Sequence, residues 1–125
     1  MWRNRLGGSF RQAGIVGAAA LIALDEMRLR LHEDHAKAAR LAELLGNGGL
    51  PVEDCPWRTN MVFVNLGPDT DNAETVERCR QHGVLIGTMG PGRFRLVCHV
   101  DISTHDVETA ATVLRECLQR KCLRH

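Results

Sequence analysis

At 125 residues, with 44% apolar and 25% charged side chains, the chain is the size of one ordinary domain and has a globular balance. A formal net charge of +1 gives no pull toward nucleic acid or an anionic lipid surface, so no nucleic-acid or membrane partner is expected. Sixteen basic residues include only two lysines, Lys37 and Lys121, and the five cysteines (Cys55, Cys79, Cys98, Cys117, Cys122) are an odd number with no CxxC pair. No signal peptide opens the chain, so reduced thiols and a cytoplasmic setting are expected.

Taken in order, the first half reads helical. Gly7, Gly8 and Ser9 form a loop whose serine can cap a helix starting near Phe10, and residues 14–24 (GIVGAAALIAL) are apolar nearly all round. Such a helix is expected to be buried on several sides or to lie between subunits. It falls short of the roughly eighteen apolar residues of a membrane span, because Asp25 and Glu26 end the run. Leu31, His35, Ala38, Ala42 and Leu45 then recur at helical spacing, predicting an amphipathic helix that ends at Gly46, with His35 in the core.

The stretch NGGLPVEDCP reads as a linker. The expected division is a helical arm over 1–46, a linker over 47–57 and a small α/β domain over 58–125. Within that domain, Thr59–Leu66 has the composition of a buried strand. Asp71 followed by Glu74 is a capping signal for a helix carrying Ala73, Val76 and Cys79 and stopping at Gly83. A short strand, Val84–Gly87, precedes the turn Met89-Gly90-Pro91-Gly92 and a strand, Arg93–His99, that sets Phe94, Leu96 and Cys98 against Arg95, Val97 and His99. Ser103 with Asp106 caps a last helix whose stripe is Val107, Ala111, Leu114 and Leu118. The order β-α-β-β-α implies an α/β fold, a small open sheet with helices on one face after a helical lead-in.

Arg95 is the leading candidate for chemistry. On a strand with an apolar opposite face and a Gly-Pro-Gly turn before it, its guanidinium can be held rigidly and grip a carboxylate with two parallel hydrogen bonds. Position alone favours the plainer reading, an edge-strand arginine in water, since a lone arginine on a strand is common. Arg11, after a glycine pair at a helix start, could attract a phosphate or be a plain surface arginine, and neither GxGxxG nor GxxxxGK is present. His32, His35, His99 and His105 with the cysteines raise the question of zinc, but no second pair stands at a ligand spacing, so no metal is expected. Cys98, between core residues, reads as a small buried hydrophobe rather than a nucleophile.

Three blocks carry a family likeness. WRNRLGGSFRQAGIVGAAALIAL at 2–24 resembles the threonine aldolase stretch in which a basic segment precedes L-G-G-G-M-R-Q and an alanine-rich helix. LHEDHAKAARLAELL at 31–45 is similar to that family's helix with an Asp-His pair, here Asp34 and His35. HGVLIGTMGPGRFRLVCHVDIS at 82–103 looks like its closing strand pair, where R-x-V-T-H-x-D-V-S is usual. The departures are Asn4 in place of a lysine near the phosphate, Ser9 and Phe10 in place of Gly-Met, and Cys98 in place of a threonine.

The resemblance implies the C-terminal part of a fold type I enzyme dependent on pyridoxal phosphate. Such an enzyme cleaves L-threonine or L-allo-threonine to glycine and acetaldehyde, with active sites between paired subunits of a homo-oligomer, commonly a homotetramer. It implies that Arg95 clamps the α-carboxylate of the amino-acid substrate and that Arg11 reaches the cofactor phosphate of a neighbouring subunit. The family's cofactor lysine lies upstream of the Gly-Gly segment, so the expectation is a fragment or truncated form without the Schiff-base lysine, inactive alone. Lys37, on a polar helix face, and Lys121, near the end beside Arg120, lack the apolar setting that makes an imine-forming amine. The alternative is a non-catalytic module that binds an amino acid or a partner subunit.

Overall fold

Alanine-rich sequence with few competing side-chain hydrogen bonds favours helix without help from a cap. The first helix, α1 (Ala13–Asp25), shows this: the residue before it, Gln12, makes no side-chain cap bond, and the last turn closes with the Glu26 N–H donating to the Ile22 carbonyl at 2.9 Å. The computed structural model describes residues 5, 8, 11–55 and 59–119; the Ser9 cap and the start near Phe10 lie outside them. No residue of α1 is buried, and Ile15 is 75% exposed. A 3₁₀ turn, Met27–Arg30, follows. Two compact units divide the chain, Met1–Leu31 and His32–His125.

The second unit is built round α2 (Leu31–Asn47), which buries Ala38, Leu41 and Leu45. Ala38 and Leu45 are buried as expected, while Leu41 joins them in the seam and Ala42 is only half-buried. His35 therefore falls outside it: it is exposed, not a core histidine, and Leu31 is exposed as well. The next segment is tied to the sheet. Val52 bridges Val64, the Glu53 N–H donates to the Phe63 carbonyl at 2.9 Å, and the Asn65 N–H donates to the Pro51 carbonyl at 3.0 Å. Helix α2 packs into the same core as the strands, and the compact units divide after Leu31.

The sheet has three antiparallel strands, β1 (Met61–Asn65), β2 (Gly87–Thr88) and β3 (Arg93–Val97), in the order β1-β3-β2. Strand alternation puts Val62, Val64, Phe94 and Leu96 on one face, and all four are buried. Helix α3 (Asn72–Gln81) starts where expected, with the Glu74 N–H donating to Asp71 Oδ1 at 3.0 Å, and buries Thr75 and Cys79. Its end explains why β2 is short: the Val84 N–H turns back to the Cys79 carbonyl at 3.0 Å, so 84–86 leave the helix and pairing begins only at Gly87.

The turn between β2 and β3 is fastened from two sides. Asn72 Nδ2 donates to the Gly90 carbonyl at 2.8 Å, and the Gly92 N–H donates to Asn72 Oδ1 at 2.9 Å. Gly92 has φ +64°, and a Cβ there would collide with the Gly67 backbone, so both conformation and space require glycine. Helix α4 (Thr104–Gln119) opens with a reciprocal capping box, Ser103 N–H to Asp106 Oδ2 at 2.8 Å and Asp106 N–H to Ser103 Oγ at 3.1 Å. It buries the expected Val107, Ala111, Leu114 and Leu118, with Cys117 in addition. The architecture is the expected mixture: a helical lead-in and a small open sheet of order β-α-β-β-α, whose core lies on one face. No described helix is long and apolar enough to cross a membrane.

Candidate functional site

The other face of the sheet carries Met61, Phe63 and Asn65 from β1 and Arg93, Arg95 and Val97 from β3, since residues two apart on a strand share a side. Two arginines thus stand on one open face, and their surroundings differ. Arg93 is spoken for: its Nε donates to Glu53 Oε1 at 2.8 Å and its Nη2 to Glu53 Oε2 at 2.6 Å, a bidentate fork. Its guanidinium carbon also lies 4.7 Å from the centre of the Phe63 ring. The Arg93 hydrogen bonds hold the Glu53 carboxyl below its ordinary range, against the opposing pull of partial burial.

Arg95 is exposed and has no hydrogen bond or ion pair among the described residues. Its cross-strand neighbours are Phe63 on β1 and Gly87 on β2. On the Phe63 side Arg93 lies over the ring, and the Glu53 carboxylate already has both oxygens engaged by Arg93. On the Gly87 side the surface is bare backbone, and Arg95 Nε and Nη2 each lie 3.8 Å from where a Cβ would stand. A cation in this position, on a strand fixed by its ladder and its turn, presents five donors to an incoming anion. A planar carboxylate matches two of them at once.

Sequence reasoning placed Arg95 correctly on the open side of a strand but missed Glu53, Phe63 and Gly87, which settle its surroundings. Period-2 alternation puts Arg93 on the same face as Arg95; the partner of Arg93, forty residues away in a stretch read as linker, leaves no local signal. Arg11 is exposed and belongs to the first unit. A cavity of about 350 Å³ beside β1, lined by His35, Ala42, Glu53, Asp54, Met61 and Phe63 among others, does not include Arg95.

Lysine chemistry can be tested against the geometry. Lys37 Nζ donates to Asp34 Oδ1 at 3.2 Å and to the His99 carbonyl at 3.4 Å, with its side chain only 14% exposed. Lys37, the one lysine among the described residues, is thus engaged by a carboxylate and a main-chain carbonyl. Lys121 lies outside the described residues. The described residues therefore do not fit a covalent site for pyridoxal phosphate. Burial pushes the Cys98 thiol up and the Cys79 thiol up to about 12, so neither is a ready nucleophile. Among the described residues no three His, Cys, Asp or Glu side chains come together as a metal site.

Residues 1–67 match the profile of the family described as beta-eliminating lyase. Over 121 residues the chain is 35% identical to "Low-specificity L-threonine aldolase 1" of Arabidopsis thaliana, covering 93% of this chain and 33% of that protein. It is 38% identical over 119 residues to "Low specificity L-threonine aldolase" of Escherichia coli (strain K12), covering 95% and 34% respectively. A third relative, "Probable low-specificity L-threonine aldolase 2" of Arabidopsis thaliana, is 39% identical over 110 residues, covering 85% and 31%. The chain thus spans about a third of the length of these relatives.

Proposed function

Because the chain belongs to the beta-eliminating lyase family, we propose that it supplies the substrate-gripping end of a low-specificity L-threonine aldolase, with Arg95 as the anchor for the α-carboxylate. The observation that carries this reading is the contrast on the open sheet face: Arg93 is engaged by Glu53 and Phe63, while Arg95 two residues away has no partner among the described residues. Two parallel hydrogen bonds from the guanidinium would fix both the position and the plane of the carboxylate. With the amino group held at the other end, fixing the carboxylate sets the orientation of the Cα–Cβ bond for cleavage to glycine and acetaldehyde.

The resemblance implies pyridoxal phosphate as the cofactor of the assembled enzyme. In this reading the imine-forming lysine belongs to a chain of the relatives' length and not to Lys37, whose ammonium is tied to Asp34 and His99. Arg11 is assigned to the cofactor phosphate of a neighbouring subunit, an assignment supported by its exposure at the start of an apolar helix. The exposed apolar side chains of α1 support a homo-oligomer, in which α1 would be covered. The cytoplasm is the proposed compartment, supported by buried Cys79, Cys98 and Cys117, none of which forms a disulfide.

The test is to place the chain in the Escherichia coli relative in exchange for the segment it matches, and to measure L-threonine cleavage with and without Arg95→Ala. The expected result is turnover by the hybrid, with the Michaelis constant raised about 10- to 100-fold by the substitution, the loss of a charge-assisted carboxylate contact. A folded, cofactor-loaded hybrid whose kinetics are indifferent to Arg95→Ala would sink the assignment.

A further inference from the structure

We infer that Gly87 is a positioning residue for carboxylate binding: by presenting no side chain opposite Arg95, it leaves the guanidinium a place to lie across β2. The inference rests on the reading of Arg95 as the anchor and adds what determines the pose of its side chain.

Glycine inside a strand needs a reason, because it weakens the element and has nothing to pack. At Gly49, Gly67, Gly83, Gly90 and Gly92 the reason is a positive φ; Gly87 is not among them, so its backbone would accept other residues. Space is the remaining reason. Gly87 is paired directly with Arg95 in the ladder, so any side chain at 87 would emerge on the same face as the guanidinium. A Cβ at that position meets the Arg95 carbonyl at 3.7 Å and the Arg95 Nε and Nη2 at 3.8 Å, all ordinary contacts. One carbon is therefore tolerated, but anything branching beyond it enters the volume that the guanidinium fills.

The opposite side is already taken up by Arg93. Across β1 the Phe63 ring is occupied by Arg93, and the Glu53 carboxylate by the Arg93 fork. A guanidinium displaced from Gly87 would swing into water and lose its fixed orientation, and with it the parallel pair of donors that a carboxylate needs. Gly87 acts by its absent side chain, and Arg93 with Glu53 acts by closing the other direction.

The experiment uses the full chain. Phenylglyoxal labelling of each arginine is read by mass spectrometry with and without N-acetylglycine, a probe that carries an α-carboxylate and no free amine to consume the reagent. N-acetylglycine is expected to slow labelling of Arg95 severalfold in the wild type and in Gly87→Ala, and this protection is expected to be lost in Gly87→Val and Gly87→Thr. Arg93, held by Glu53, serves as the internal reference and should respond in none of them. Branched residues favour the extended backbone, so neither branched variant should melt below the wild type, which separates displacement of Arg95 from unfolding. Protection retained in both branched variants overturns the role of Gly87 and leaves Arg95 standing as the anchor. Absence of protection in the wild type overturns the anchor and this inference together.

Discussion

Helices α1 and α4 are of similar length, 13 and 16 residues, yet one buries nothing and the other buries five side chains. Their sequences differ in how the apolar residues are arranged round the axis. In α4 they form one stripe, which packs into the core shared with α2, α3 and the sheet; in α1 they run nearly all round, and no one neighbour could cover them. A periodic stripe thus states how a helix packs within its own unit. An all-round apolar surface states only that more than one side must be covered.

The largest effect expected from this contrast concerns assembly. If α1 is an association surface, Ile15→Glu combined with Leu21→Glu should abolish self-association in sedimentation, while the melting of the second unit stays where it was. A wild-type chain that sediments as a stable monomer would break the comparison. Next in size is a core deletion in α4. Leu114→Ala, at a site 1% exposed, should cost about 2–5 kcal/mol in denaturant unfolding. Leu21→Ala, at a site 61% exposed, should cost the unassembled chain about 0.5 kcal/mol or less. Equal losses at the two sites would mean that α1 is packed after all.

The smallest effect separates the units by pH. The folded Glu53 carboxyl is held below its ordinary value of 4.5 by the Arg93 hydrogen bonds, so the pair's contribution is fully present above that value. It is lost as the pH falls through the lowered folded value. Denaturant midpoints of the second unit should therefore decline on acidification, and Glu53→Gln should flatten that part of the profile. An unchanged profile would show that solvent screens the pair completely.

Much of the second unit was legible in its sequence because the signals are local. Asp71 with Glu74 and Ser103 with Asp106 each encode a helix start within four residues, and both boundaries fall where these pairs put them. The alternation Phe94, Leu96, Cys98 identified the buried side of β3 and so left Arg95 on the open side. Errors arose where a residue's fate is decided by something distant. His35 was expected in the core and is exposed, while Leu41 is buried, because the 38–41–45 edge of α2 faces the core and periodicity alone does not fix which edge of the stripe does. Thr75 is buried where Ala73 was expected, since its hydroxyl donates to the Asp71 carbonyl at 2.7 Å and so carries no unmet polarity inward. The site was half readable for the same reason: the arginine announces itself, whereas the carboxylate, ring and glycine round it arrive from other strands and loops.

The abutment of Gly92 on Gly67 has a kinetic corollary. With Asn72 holding the turn and no clearance between the two backbones, the hairpin carrying β2 and β3 cannot hinge independently of the rest of its unit. On the proposed reading of Arg95, capture of a carboxylate there would be docking onto a preformed surface, with little induced fit and little entropy lost to ordering the main chain.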